Sequence, residues 1–367
     1  MASKRTGSLD SYPLRTENQQ MNQLPEQRPG SPKPNFQHLQ RHALPGSAIT
    51  VPTIGISASL PDNCQYSKQE LKNTGAGHFA SALGSSLLDY RFVANSQPTI
   101  NEAADAGKPV GQLFSESDKE QLIVRVGLSP GQQSEETLHT ELFSYEGVLQ
   151  AYQHVRKLLP DRKPDFLVLE GTASLFNTEL QNELYFSIAM QGALQAMQEL
   201  RAARDVSCIG LAADHAHYLQ RALQQGDWDV FILNHRYTLL EQWPLFNLLP
   251  ECQQTATTVM VGHPFNTGIL RGLNKWNFAS PADFVTARVE NIRHICRLHE
   301  VPVEAAALQF PVAHPAISTV LVNTDVTQAK QIQQWQSLPI PESLWGDLKL
   351  GGVLHEEAPV PAHQSGG

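Results

Sequence analysis

Cysteine is scarce: four in 367 residues, at Cys64, Cys208, Cys252 and Cys296, with no CxxC among them. Residues so few and so widely spaced read as buried free thiols in a reducing compartment rather than a disulfide framework. Long apolar runs are also missing. No segment approaches the ~20 residues that span a bilayer, and the start, MASKRTGSLD, lacks the apolar core of a secretion signal. A cytoplasmic protein is expected. Positive charge is the minority, 27 Lys and Arg against 36 Asp and Glu for a formal net charge of -9, and no basic run exceeds two residues as in Lys4-Arg5. Nucleic-acid affinity rests on clustered Lys and Arg, so nucleic acid is excluded as a partner, and a small-molecule ligand or substrate is expected instead. No GxGxxG follows a strand-like run, which argues against an open doubly wound sheet of the dinucleotide-binding kind.

What is present is ordinary globular usage, 41% hydrophobic and 17% charged, enough for one large domain or two modest ones. Residues 1–45 are rich in Gln, Pro, Ser, Asn and Arg and carry almost no apolar period, so they are expected to form a disordered tail. From there to residue 367 a single domain is expected. Its texture alternates between short apolar runs and amphipathic stretches. Ile49 to Ile56 reads as a strand, and Ser67 to Leu83 as a helix with Ser67 as cap and Glu70 three residues on. Ala103 to Phe114, Gly147 to Leu158, Ile188 to Arg201, Tyr218 to Leu223, Pro281 to His299, Ala305 to Val312 and Val326 to Trp335 read as further helices. Strand runs centre near 88, 123, 167, 209, 231, 260 and 321, and an eighth is placed near 309–318. About eight strand–helix units over ~300 residues predict a (β/α)₈ TIM barrel, whose ligands collect where strands end.

The stretch Phe231 to Leu270 holds two such strand ends, one followed by Asn234, His235 and Arg236, the other by Gly262, Pro264, Asn266 and Gly268. With RYTLLEQ (Arg236 to Gln242), HPFNTGIL (His263 to Leu270), AAALQFPVAHPAISTV (Ala305 to Val320) and LPIPESLWGDLK (Leu338 to Lys349), the chain resembles the aldo/keto reductase superfamily, most of all its D-threo-aldose or L-fucose 1-dehydrogenase branch. FSYEGV, DFLVLE and SCIGLAAD are smaller matches; the similarity covers roughly Ile49 to Pro361 and is faint before Phe143. This family is built on an NAD(P)-dependent barrel of the (β/α)₈ type, so the resemblance implies that fold independently of the strand count.

The resemblance also implies four catalytic positions, of which this chain keeps one. In the family a tyrosine exchanges the proton on the carbonyl oxygen, a lysine and an aspartate tune it, and a histidine orients the substrate. The corner usually written FDTAxxYG runs here from Leu88 to Asn95, which matches the aspartate to Asp89 and puts Ala94 where the tyrosine stands; Tyr90 is the nearest hydroxyl in sequence. The lysine position is Arg125, whose guanidinium is never deprotonated, and the histidine position is Glu170. For the cofactor, the resemblance lays Pro264, Phe265, Asn266, Thr267, Gly268 and Leu270 along the dinucleotide, and puts Asp214 in place of the asparagine that holds the nicotinamide amide. Asp325 would repel the 2′-phosphate of NADP, so NADP is disfavoured, NAD stays open, and a barrel that binds neither is the remaining alternative.

Two classes of function follow. One is an impaired or repurposed barrel that binds a small ligand; the other is an active, divergent NAD-dependent oxidoreductase on an aldose-like carbonyl, with Glu170 or Tyr90 in the proton relay. A redox-neutral enzyme using Glu170 and Asp89 as acid and base is a third. Beside these stand structural alternatives: Asp89 can pair with Arg125, Glu170 with Arg91, Arg125 or Arg236, and PFNTGIL can owe its composition to turn geometry. His215 and His217 form an HxH without a third metal ligand, and His235 and His263 read as solvated or capping residues at strand ends. Oligomeric state is not legible.

Overall fold

The computed structural model describes residues 41–45, 48–59, 87–91, 121–128, 138–159, 162–323 and 328–362. A short antiparallel hairpin, β1 (Arg41–Ala43) and β2 (Thr50–Pro52), leads directly into eight parallel strands. These are β3 (Ile54–Ser59), β4 (Leu87–Arg91), β5 (Gln121–Gly127), β6 (Phe166–Glu170), β7 (Cys208–Ala213), β8 (Val230–Asn234), β9 (Thr258–Gly262) and β10 (Ile317–Asn323). Each pairs with the next, and β10 pairs with both β9 and β3, so the sheet closes into a barrel.

The described helices follow their strands: α1 (Tyr145–Leu158), α2 (Glu179–Ile188), α3 (Leu194–Ala202), α4 (Ala216–Leu223), α5 (Leu248–Gln254), α6 (Asp283–Leu298), α7 (Val303–Gln309), α8 (Ala329–Ser337) and α9 (Glu342–Leu350). The expected helix over Ile188 to Arg201 is longer and broken. It starts at α2, where Thr178 and Gln181 form a reciprocal capping box, and passes through a π turn at Ala189–Ala193 into α3.

Three expectations change. The eighth strand is β3, not a strand near 309–318, where the chain ends α7, makes a 3₁₀ turn at Pro311–Ala313 and only then enters β10. The run Ile49 to Ile56, expected as one strand, is split: Pro52 has no N–H to donate, and Thr53 separates β2 from β3. The described residues belong to one compact unit, and its first strand, β1, precedes residue 46, the expected start of the domain. The expected helices at Ser67 to Leu83 and Ala103 to Phe114 lie outside the described residues.

Strand periodicity decides what faces the barrel axis. Ile123, Phe166, Val168, Cys208, Ala212, Val230, Ile232, Met260 and Leu321 form one interior cluster, joined by Leu44 and Val51 of the hairpin. The alternate residues Leu122, Val124, Leu167, Leu169, Ile209, Leu211, Phe231, Leu233, Val259 and Val261 belong to the larger cluster beneath the helices. Counting two residues further along each interior row replaces apolar side chains by polar ones: Leu87 gives way to Asp89, Ile123 to Arg125, Val168 to Glu170 and Ile232 to Asn234. The barrel is thus apolar at its strand starts and polar where its strands end.

Candidate functional site at the barrel mouth

Arg125 stands at the centre of this polar layer. In strand register it is level with Arg91 on one side and Val168 on the other, so Asp89 lies two residues below its level and Glu170 two above. The stagger of the closed barrel lets one guanidinium reach both. Its Nε donates to Asp89 Oδ1 at 2.7 Å and its Nη2 to Asp89 Oδ2 at 2.5 Å, a bidentate fork, while Nη1 donates to Glu170 Oε1 at 2.8 Å. The side chain of Arg125 is 1% exposed, that of Asp89 0% and that of Glu170 7%. Burial by itself lowers the Arg125 pKa, and the charges and hydrogen bonds of Asp89 and Glu170 more than offset this, leaving it above its ordinary value. Arg125 is a partner that Glu170 takes, and Arg236 turns instead to Glu241.

Above the triad lies a cavity of about 180 Å³, lined by Glu170, Gly171, Ser174, Asp214, Asn234, His235, His263 and Asn323, with Phe176 and Phe278 across it at a ring separation of 4.5 Å. Glu170 is the member of the triad that reaches this space. Asp214 also lines it, its Oδ2 accepting from the Leu175 N–H at 2.9 Å. Tyr90 is a β4 residue level with Ala58 and Val124, but its side chain lies outside the described residues, as do Ala94 and Asp325.

The segment from Pro264 to Leu270 forms the turn after β9 and does not line this cavity; His263, just before it, does. Asn266, Thr267 and Gly268 have φ of 48°, 56° and 92°, a left-handed run that favours Asn and Gly. Asn266 donates from Nδ2 to the His235 carbonyl at 2.8 Å, tying the β8 and β9 corners together, and the Gly268 N–H bonds to Phe265 O inside the turn. Turn geometry therefore accounts for much of this composition. Thr267 Oγ1, half-buried, and the exposed Arg271, whose guanidinium lies 5.4 Å from the Phe265 ring, are the groups of this turn suited to a phosphate.

His235 and His263, expected as solvated or capping residues, are stacked in the structure, centroids 4.4 Å apart and 12° from parallel, with the Phe278 edge against His235. Each follows directly on a neighbouring strand, β8 and β9, and each has positive φ. The level pairing of Asn234 with Gly262 could have suggested it, since the next residues must then be neighbours.

A parallel eight-stranded barrel with a polar pocket at its strand ends defines a class of enzyme scaffold, in which function sits in the loops of one face. Residues 102–340 match the model of the aldo/keto reductase family, and the chain belongs to that family. It is 29% identical over 219 residues to pyridoxal 4-dehydrogenase of Microbacterium luteolum, 58% of this chain and 64% of that protein. It is 32% identical over 167 residues to D-threo-aldose 1-dehydrogenase of a Pseudomonas species, 44% of this chain and 51% of that protein. The matches thus span about half to two-thirds of the curated relatives. Among solved structures, the holo form of aldo-keto reductase AKR11C1 from Bacillus halodurans superposes with a TM-score of 0.61 at 16% identity, covering 89% of this chain and 99% of that one. The thermostable aldo-keto reductase Tm1743 gives 0.60 at 13% identity, covering 85% and 100%. Both confirm the fold.

Proposed function

We propose that this chain is a small-ligand-binding member of its family, impaired in the family's hydride transfer and repurposed from a sugar-dehydrogenase ancestor. The observation that carries this reading is the engagement of Arg125 through Nε, Nη1 and Nη2 by Asp89 and Glu170. At the position the resemblance gives to lysine, a guanidinium held by two carboxylates is a fixed cation with no proton to exchange. At the position of the tyrosine stands Ala94, which has no hydroxyl at all. Members of the family use nicotinamide dinucleotides; here Thr267 and Arg271 would be the residues suited to hold the phosphates, and Asp214 stands at the position that, by the resemblance, would hold the nicotinamide amide. That cofactor would supply the hydride. Asp325 favours NAD over NADP.

The test is a fluorescence titration of the purified protein with NADH and NADPH, followed by an aldose dehydrogenase screen. Expected are weaker binding of NADPH than of NADH, and turnover at background that Glu170→Gln does not change. Steady aldose oxidation by the unaltered protein would overturn the impairment.

A second reading, an active divergent NAD-dependent oxidoreductase, draws on the stacked His235 and His263 in the cavity that Glu170 reaches. An imidazole titrates in the range needed to pass a proton to a carbonyl oxygen. Turnover that falls on His263→Gln or Glu170→Ala while NADH still binds would favour this reading over the first.

A further inference from the structure

A second cavity lies beside the first on the same face. Its wall takes over at the next residues along two loops, His215 after Asp214 and Asn277 before Phe278. Its volume is about 350 Å³, and Arg236, Glu241, Trp243 and Trp276 form the rest of the wall that matters here. None of these is part of the triad.

The hydrogen bonds of this wall are lopsided. Arg236 Nη1 donates to both Glu241 oxygens at 3.0 Å and to Asn277 Oδ1 at 3.3 Å, and Trp276 Nε1 donates to Glu241 Oε1 at 3.1 Å. Asn247 Oδ1 accepts from the Leu248 N–H at 2.6 Å. Every side-chain oxygen of these residues therefore already accepts a hydrogen bond within the protein. The donors are a different matter: among the described residues Nε and Nη2 of Arg236 meet no acceptor, and neither do the amide nitrogens of Asn247 and Asn277. Arg236 and Glu241 are largely buried, at 14% and 17% side-chain exposure, so the guanidinium edge is held in place by its partner carboxylate. The helix α4 opens on the same space, and no side chain makes a capping hydrogen bond at its start. A ligand that complements this wall must bring acceptor oxygens, and two in one plane suit the free edge of a guanidinium. The two indoles add apolar faces, with Trp243 76% exposed. Aromatic side chains prefer to stack against a flat ring.

We propose that this cavity binds a small carboxylic acid carried on a flat ring, its carboxylate on Arg236 and its ring against Trp243 and Trp276, separately from the ligand of the mouth cavity. The site goes beyond the family reaction and does not depend on whether hydride transfer survives.

The experiment follows the fluorine NMR signal of para-fluorobenzoate as the full-length protein is titrated, with para-fluorobenzyl alcohol as the neutral control. Saturable broadening of the benzoate alone is expected, unaffected by NADH. Trp243→Ala, at an exposed position that leaves the fold intact, is expected to weaken it roughly fivefold, the scale of one aromatic contact. Arg236→Gln is expected to weaken it at least about tenfold, as a charge-assisted hydrogen bond is lost; Asn277→Ala serves in its place should Arg236→Gln fail to fold, judged by thermal unfolding. No saturation, equal binding of the alcohol, displacement by NADH, or unchanged affinity in Trp243→Ala would each overturn the assignment.

Discussion

Replacing Arg125 by alanine would leave Asp89 and Glu170 buried without their common counter-ion. Breaking a buried pair costs far more than the pair itself contributes, because the stranded charge has been taken out of water. Arg125→Ala is expected to lose about 3–5 kcal/mol in urea unfolding, whereas Glu170→Gln, which keeps an oxygen facing Nη1, loses clearly less. A second residue titrates usefully. His314 is buried, its Nδ1 accepts from the Ala316 N–H at 3.1 Å, and burial holds its pKa down to about 4. A depressed folded pKa means stability that is present above the unfolded value near 6.5 and lost as pH falls towards 4, since only the unfolded chain takes the proton. The contribution lost between pH 7 and pH 5 is about 2 kcal/mol. Unfolding midpoints at these two pH values should therefore move further apart in the unaltered protein than in His314→Asn.

At the scale of the element, two glycines should respond in opposite directions. Gly171, just after β6, has φ of +94°, and a Cβ there would meet the Leu128 carbonyl oxygen at 2.4 Å. Gly171→Ala is expected to destabilise by more than about 1 kcal/mol, and to disturb Glu170 with it. Gly346 lies in α9, exposed, with nothing within 4 Å of the point where an alanine methyl would sit. Gly346→Ala should stabilise by about 0.5–1 kcal/mol, because alanine restricts the unfolded chain and suits a helix. Thermal unfolding of the two variants in parallel checks both signs.

Strand alternation is readable in the sequence and leads to the barrel, because buried parallel strands are short apolar runs wherever they occur. What it does not carry is register. Asp89 with Arg125 is one of few pairings open to two neighbouring strands, but Glu170 has several arginines within its reach in sequence, and it takes the two-residue stagger on either side of Arg125 to bring Glu170 to the same guanidinium as Asp89. The paired histidines escape for a similar reason: their stacking follows from the level pairing of Asn234 with Gly262 and from positive φ at both, an uncommon backbone for histidine that no composition reveals.

For the molecule as a whole, closure of the barrel has a consequence for how it is made. The seam between β3 and β10 joins residues at opposite ends of the fold, and Thr319 Oγ1 donates to the Pro52 carbonyl across 267 residues of chain. During synthesis β3 leaves the ribosome early and has no neighbour on that side until Asn323 has emerged. Until then the growing sheet has two open edges, which is the state in which parallel sheets are most prone to pair with other chains. A chain ending before β10 keeps both edges for good. Whatever ligand the mouth holds, the last barrel strand is what converts an adhesive sheet into a closed one.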